Sequence, residues 1–128
     1  MSINLTENAL TVLKTRYLLA GEEPEDLFRR VAVAVASAEK TKSDQTEWSE
    51  RFYAMMEEGK FMPNSPTLFN AGTGQGTLSA CFVIPVNDTM ESIMQAATTS
   101  AMIQKYGGGI GYSFSKLRSR GRGISTTH

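Results

Sequence analysis

Leu78-Ser-Ala-Cys-Phe-Val-Ile-Pro-Val86 is the stretch on which the fold turns. Its continuous apolar run fits a strand buried on both faces, as in α/β folds, rather than the alternation of a half-solvated strand. Pro85 belongs at its end, because proline offers no donor to a ladder. Asp88 or Thr89 then caps a helix that reaches about Lys105. Its Ile93, Ala96, Ala97, Ser100, Ala101 and Gln104 include many small side chains, which let a helix approach a sheet closely. Tyr106-Gly-Gly-Gly-Ile-Gly-Tyr-Ser-Phe114 follows as a glycine turn and a second short strand. The order strand, helix, strand predicts a parallel βαβ unit. Two strands do not make a stable sheet by themselves, so further strands are expected from elsewhere.

Upstream, Gly74 and Gly76 form a turn into the first strand, and Phe61-Met-Pro-Asn-Ser-Pro-Thr-Leu-Phe-Asn-Ala-Gly-Thr73 precedes them. Its prolines, asparagines and glycine predict irregular backbone, and its apolar residues place that backbone against a core. Such loops often carry function. Residues 1–60 read as three amphipathic helices. Thr6 caps the first, with Leu10, Leu13, Tyr17 and Leu18 at helical spacing and Gly21 after it. Pro24 opens the second, with Glu25 and Asp26 favourably placed for the helix dipole and Leu27, Phe28, Val31, Val35 and Ala38 on one face. The third runs from about Asp44 to Glu58, with Trp48, Phe52, Tyr53 and Met56 inward and Gly59 at its end. These apolar faces read as core. The fold class is therefore α+β to α/β: a helical domain over 1–60, then the opening of an α/β part over 61–128.

The length of 128 residues suits one domain, and 41% hydrophobic with 20% charged residues suits a soluble packed protein. Thirteen basic and thirteen acidic residues cancel, which argues against nucleic acid or an anionic membrane as the main partner. No apolar stretch approaches the roughly 18 to 20 residues of a membrane-spanning helix. The first residues, MSINLTENAL, lack the basic and apolar regions of a secretory signal. A lone cysteine fits a reducing cytoplasm. Without a signal, the sequons at Asn4-Leu5-Thr6 and Asn87-Asp88-Thr89 read as chance. Arg118-Ser-Arg-Gly-Arg-Gly-Ile-Ser-Thr-Thr-His128 is basic and has no closing helix or strand, so it is either a flexible tail or a chain that stops in mid-fold.

Gly107-Gly-Gly-Ile-Gly111 fails the dinucleotide fingerprint, because it follows a helix and opens a strand where that motif does the reverse. No Gly-Lys-Ser/Thr exists for a P-loop. The glycines still imply close approach to the backbone, by a ligand or by another chain segment. Cys81 taken alone is a small buried hydrophobe. Redox chemistry there needs a second thiol, and this sequence has no other cysteine. His128 is the only histidine, so neither a metal-ligand cluster nor a Ser-His-Asp or Cys-His arrangement can be assembled. Asp88 reads most simply as an N-cap worth about 1 kcal/mol, and Arg118 and Arg120 as solvated.

In their order, these segments resemble the large catalytic subunit of ribonucleotide reductases, most closely the adenosylcobalamin-dependent class II. The motifs are Leu5-Thr-Glu-Asn-Ala-Leu10, Glu25-Asp-Leu-Phe-Arg-Arg-Val-Ala32, the Phe61–Gly72 loop, Leu78–Val86, Met90-Glu-Ser-Ile93 and Gly107-Gly-Gly-Ile-Gly-Tyr-Ser-Phe-Ser-Lys-Leu-Arg118, which together cover nearly the whole chain. The resemblance implies a helical amino-terminal domain followed by a ten-stranded α/β barrel, of which Leu78–Val86 is the first strand. It implies that Cys81 is one of two cysteines that reduce the substrate ribose by closing to a disulfide, after a thiyl radical generated with adenosylcobalamin abstracts the 3′-hydrogen. Ser65, Ala80 with Cys81, and Gly109 match positions that contact the ribonucleotide substrate. Asp88, Thr89 and Met90 match the loop that reads the base of a deoxynucleotide effector, and Arg118 an effector-phosphate contact, for which a guanidinium is suited. The helix after Asp88 resembles a dimer-interface helix, so the complete protein is expected to be a homodimer.

The radical-bearing cysteine, the asparagine and glutamate flanking it, the redox partner of Cys81 and the cobalamin-binding residues are not among these residues. Family sequences continue past a segment like Ser125-Thr-Thr-His128 into further strands. The expectation is a fragment, an engineered piece, or one part of a split or intein-interrupted gene, joined in function to the remaining reductase chain and inactive alone. A non-catalytic effector-binding or assembly module, or the equivalent part of an iron-dependent class I subunit, are the competing readings.

Overall fold

The computed structural model describes residue 3 and residues 5–124. The terminal segment 125–128 with His128, and Asn4 of the first sequon, lie outside the described residues. The elements are α1 (Glu7–Arg16), α2 (Pro24–Ala36), α3 (Lys42–Glu57), α4 (Ser65–Asn70), β1 (Cys81–Pro85), α5 (Met90–Lys105) and β2 (Gly109–Ser113). They fall into two compact units that divide between Ala80 and Cys81.

In the first unit, Thr6 caps α1 by accepting from the Ala9 N–H at 3.2 Å. The helix ends at Arg16 with Tyr17 as C-cap, so Gly21 is not its C′ residue. That glycine sits instead at φ +84° in the turn closed by the Glu22 N–H on the Leu19 carbonyl. Pro24 opens α2 as expected, and the Asp26 carboxylate accepts from the Glu23 N–H at 2.9 Å. Leu27, Phe28, Val31, Ala32 and Ala36 are buried. The expected face is thus partly wrong: Val35 is 38% exposed and Ala38 lies beyond the helix end. Phe28, Ala32 and Ala36 form a buried i, i+4 row, and Val35 lines the partly open cavity between α2 and α3. Thr41 caps α3 through the Asp44 N–H. Gly59, at φ +68°, closes its end with bonds from Gly59 to the Met56 carbonyl and from Lys60 to Met55. Met56 is buried, and Phe52 and Tyr53 pack on the core from its edge. Trp48 stays at the rim beside Phe52, their centroids 5.5 Å apart.

The segment 61–73, expected to be irregular, contains α4. Asn64 caps it by accepting from the Thr67 N–H at 3.0 Å, and Pro66 lies in its first turn, where no backbone donor is needed. The core placement holds: Pro66, Thr67, Leu68 and Ala71 are buried. Thr67 Oγ1 donates to the Leu78 carbonyl at 2.8 Å, and Asn70 Nδ2 to that of Thr77. These bonds group 61–80 with the helices, whereas the sequence reading drew its line at residue 60.

Arg30 clamps this unit. Its guanidinium bonds both Glu22 oxygens (2.5 and 3.1 Å) and donates to the Ala71 and Leu68 carbonyls, with both charged side chains largely buried. The Arg30 hydrogen bond holds the Glu22 carboxyl below the ordinary value of 4.5. A depressed carboxylate pKa stabilises the fold above the unfolded pKa, and that contribution is lost as pH falls through the folded value. Urea unfolding across pH is therefore expected to show stability level near neutrality and declining below about pH 4.5. In Glu22→Gln the unit is weaker at pH 7 by about 1–3 kcal/mol and the acid slope is shallower. An unchanged acid slope in that variant would dismiss the assignment.

In the second unit β1 and β2 pair in parallel, with Cys81 opposite Gly109, Phe82 opposite Ile110 and Ile84 opposite Tyr112. The strand, helix, strand reading is met. The strand is shorter than Leu78–Val86, and it is not buried on both faces: Phe82 and Ile84 are half-covered, whereas Cys81 and Pro85 are exposed and Val83 is 78% exposed. One layer, α5, lies on the Phe82–Ile84 side, tied there by Tyr112, whose hydroxyl donates to Ser100 Oγ at 2.6 Å. Among the described residues no second layer covers the other face. On α5 only Ala96 and Ser100 are buried, a narrower face than expected, with Ile93, Ala97, Ala101 and Gln104 exposed.

Candidate functional site

The glycine run separates into parts with different causes. Tyr106 ends α5, and Gly107 at φ +82° takes the left-handed conformation that follows a helix C-cap. The Gly107 N–H bonds the Gln104 carbonyl and that of Gly108 the Ile103 carbonyl, a complete Schellman closure. A Cβ on Gly108 would stand 2.5 Å from Ile103 Cγ2 and 3.3 Å from the Phe82 ring. The close approach read from the sequence is therefore, at Gly108, made by the chain itself. Gly111 has ordinary contact distances around its position, the nearest atom being Val83 Cγ2 at 3.9 Å.

Cys81 opens β1, directly across the ladder from Gly109, the first residue of β2. Ala80 immediately precedes it. Cys81 and Gly109 therefore meet at one end of the strand pair. Cys81 is a free, exposed thiol, not the buried hydrophobe that its apolar run suggested. Such a thiol can supply one sulfur of a disulfide and one of the two electrons such a bond releases; a second thiol must supply the other.

A different group gathers where β1 leads into α5. Thr89, not Asp88, is the N-cap, its Oγ1 accepting from the Ser92 N–H at 3.1 Å. Asp88 is thereby left to bind Arg118, Nε to Oδ2 at 2.7 Å, each side chain about one-third exposed. Arg118 also donates to the Gly123 carbonyl, so it is not merely solvated. Lys116 reaches Asn87 Oδ1 at 3.3 Å. Met90 is 70% exposed at the first turn of α5. Asp88 and Arg118 are thus paired beside Thr89 and Met90 at the start of α5, and Lys116 bonds the neighbouring Asn87, a contact the spacing does not reveal.

Ser65 belongs to the first unit, at the first position of α4. Its Oγ lies 2.9 Å from the Tyr17 hydroxyl, and the Tyr17 ring stacks on Phe69 at 4.6 Å. Tyr17 was read as a core aromatic only. The available signal was its polar tip, which needs a partner wherever the ring is covered. Among the described residues no group of three His, Cys, Asp or Glu could hold a metal ion. A cavity of about 270 Å³ between α2 and α3 is lined by Val31, Val35, Phe52, Met55, Phe61 and Pro63 and offers no polar group to orient a substrate.

Residues 3–76 match the ribonucleotide reductase all-alpha domain, and residues 79–128 match the ribonucleotide reductase barrel domain. The chain belongs to the ribonucleotide reductase large-subunit family. Its helical part followed by a parallel βαβ piece is the family's amino-terminal domain and the start of its barrel. This reductase chain is 41% identical to a vitamin B12-dependent ribonucleoside-diphosphate reductase of Mycobacterium tuberculosis, over 98% of its own length and 19% of that protein's. It is 32% identical to the protein of the same name from Thermoplasma acidophilum, over 98% of its own length and 24% of the other. A ribonucleoside-diphosphate reductase subunit alpha of Synechocystis is 34% identical over 86% of this chain and 14% of its own. The structure of the Actinobacillus ureae class Id ribonucleotide reductase alpha subunit superposes with a TM-score of 0.78 at 28% identity, covering 95% of this chain and 23% of that one. The reductase chain thus spans about a fifth of the length of the curated relatives it matches. Among the described residues, no helix is long and apolar enough to cross a membrane.

Proposed function

We propose that this chain forms part of a cytoplasmic enzyme that reduces ribonucleotides to deoxyribonucleotides for DNA synthesis, with Cys81 as one of its two reducing thiols. The observation that carries the reading is the free Cys81 thiol at the open end of the strand pair, register-matched to Gly109. Two thiols give up two electrons and two protons as they close to a disulfide; the ribose loses its 2′-hydroxyl as water and gains hydrogen at that carbon. Proximity sets the rate, so both sulfurs must face the sugar. Ala80, Cys81 and Gly109 hold the substrate nucleotide, together with Ser65. All four fall after position 60, so we take 61–128 as the part that carries the catalytic contacts, although its residues 61–80 pack with the helices of 1–60.

The cluster of Asp88, Thr89, Met90 and Arg118 is read as the deoxynucleotide effector site, Arg118 meeting phosphate, in a homodimer paired through α5. The effector must displace or share the Asp88 carboxylate that now holds Arg118.

We assign the complete enzyme to the adenosylcobalamin-dependent class II, supported by the two B12-dependent relatives. Among the described residues, the apolar cavity of about 270 Å³ between α2 and α3 is at or below the small end of ligand sites and lacks polar groups, so it does not suit that cofactor. In this reading the complete enzyme binds cobalamin mostly through polypeptide other than these residues. A class I-type subunit is the second reading, favoured by the alpha-subunit relatives and the class Id structure. Reductase assays decide between them. The complete polypeptide is expected to form deoxyribonucleotide only with adenosylcobalamin and a dithiol, and the 128-residue chain to form none. Turnover without cobalamin would move the assignment to class I, and turnover by the short chain would overturn the division of labour proposed above.

A further inference from the structure

We propose that Tyr17 is a positioning residue for substrate binding, which acts by donating its phenolic hydrogen to Ser65 and so turns the Ser65 hydroxyl into a donor toward the nucleotide. The inference rests on the assignment of Ser65 as a substrate contact, and it adds a residue that neither the motifs nor the α4 helix itself supply.

The geometry comes from two independent contacts of one side chain. Tyr17 is the C-cap of α1, where the helix ends and the chain turns toward Gly21. Its ring lies parallel to that of Phe69, with an interplanar angle of 8° and centroids 4.6 Å apart. Phe69 is in α4, one turn after Ser65. The stack therefore fixes the ring on the helix that carries Ser65, and the hydroxyl at the ring's far end reaches Ser65 Oγ at 2.9 Å. Tyr17 and Ser65 are both half-buried, so water competes weakly for that bond.

Proton direction follows from the chemistry of the ligand. A serine hydroxyl has one hydrogen to give and two lone pairs to receive with, and a phenol likewise donates one. Left alone, the Tyr17–Ser65 pair satisfies itself with either oxygen as donor. Anionic phosphate oxygens only accept. Ser65 can bond such an oxygen only by giving it its single hydrogen, and the Tyr17 bond survives only if the phenol donates inward. The nucleotide and Tyr17 thus polarise the same hydroxyl in one sense, and a chain of two hydroxyls ending on an anion strengthens each link. Tyr17 touches Ser65 rather than substrate, so its effect falls on binding and not on the chemical step.

The test is steady-state kinetics of the complete reductase carrying Tyr17→Phe, Ser65→Ala, both together, or Ser65→Thr, with ribonucleotide as the varied substrate. Tyr17→Phe keeps the ring on Phe69 and removes only the donor. We expect the KM of Tyr17→Phe to rise about five- to tenfold with kcat within about twofold, Ser65→Ala to rise at least as far, and the double variant to rise no further than Ser65→Ala. Ser65→Thr, which keeps a hydroxyl, is expected to recover part of the affinity that Ser65→Ala loses. Multiplying effects in the double variant would mean that Tyr17 works independently of Ser65, which overturns the proposal. So would an unchanged KM in Tyr17→Phe alongside a raised one in Ser65→Ala, an outcome that leaves the Ser65 assignment standing. An unchanged KM in Ser65→Ala removes that assignment and this inference with it. Thermal unfolding of the 128-residue variants accompanies the kinetics; a drop of more than about 8 °C for Tyr17→Phe would show the hydroxyl to be chiefly a structural tie.

Discussion

Replacing Cys81 by serine is expected to abolish multiple turnover of the complete reductase while leaving ribonucleotide affinity within about threefold of the parent. The two expectations have separate physical sources. Serine is nearly isosteric with cysteine, and β1 needs only backbone bonds to Gly109 at that position, so the ladder and the nucleotide contacts made by the main chain persist. What oxygen cannot do is close to a disulfide. The substrate's 2′-carbon must take up two electrons, and the dithiol that delivers them loses one of its sulfurs in the variant. Substitutions that touch only the reacting step lower kcat and kcat/KM together, whereas lost binding raises KM. Quench analysis of deoxyribonucleotide formed per enzyme, beside equilibrium binding of the same ribonucleotide, separates the two. Multiple turnover by Cys81→Ser would show that the exposed thiol at the end of β1 is not the reductant, and the assignment of this strand pair as the chemical site would go with it.

The sequence was most legible where chemistry is local. Thr6, Pro24 and Gly59 mark helix ends because capping and left-handed turns depend on a few adjacent residues, and the structure places each at or next to the end it marks, whereas the third helix starts at Lys42 after its cap Thr41 rather than near Asp44. The parallel strand pair was legible from its order alone. The misreadings concern partners distant in sequence. Val35 and Ala38 are apolar at helical spacing, but the buried face of α2 runs through Leu27, Phe28, Val31, Ala32 and Ala36, and nothing in α2 alone announces that choice. The run Leu78–Val86 carries the apolar density of a doubly covered strand, yet α5 covers one side only and leaves Val83 bare. At 61–73 two prolines mask a capped helix, because proline suits the first turn of a helix as well as irregular backbone. For the candidate site, Cys81 with Gly109 and Asp88 with Arg118 were named from resemblance, and the structure sets each pair side by side. Tyr17 and Lys116 were not named, because a hydroxyl or an ammonium finding a partner 48 or 29 positions away leaves no trace in spacing.

Phe28→Ala is expected to cost the helical unit about 3–5 kcal/mol, the largest loss of any single side chain there. Phe28 and Leu27 are the largest side chains with no exposed surface, and both lie in the cluster formed with Val31, Ala32, Met56, Leu68 and Ala71. That cluster draws on α2, α3, α4 and the residue that follows α4. Removing the ring therefore opens a cavity where these elements meet, and a partial collapse onto it is restrained: Arg30 ties α2 to the Leu68 and Ala71 carbonyls. A site that cannot collapse shows the upper part of the cavity penalty. Against a total stability of about 5–15 kcal/mol for a domain, such a loss leaves a small margin. The unfolding midpoint followed by far-ultraviolet circular dichroism should fall by at least about 12 °C, and Phe28→Leu, which refills much of the volume, by less than half as much. If Arg30→Met is combined with Phe28→Ala, the restraint is released and the walls can move inward, so the double loss is expected to be smaller than the sum of the single losses. Strict additivity, or a midpoint for Phe28→Ala within about 4 °C of the parent, would mean that the α2–α3–α4 junction is not where the helical unit is held together.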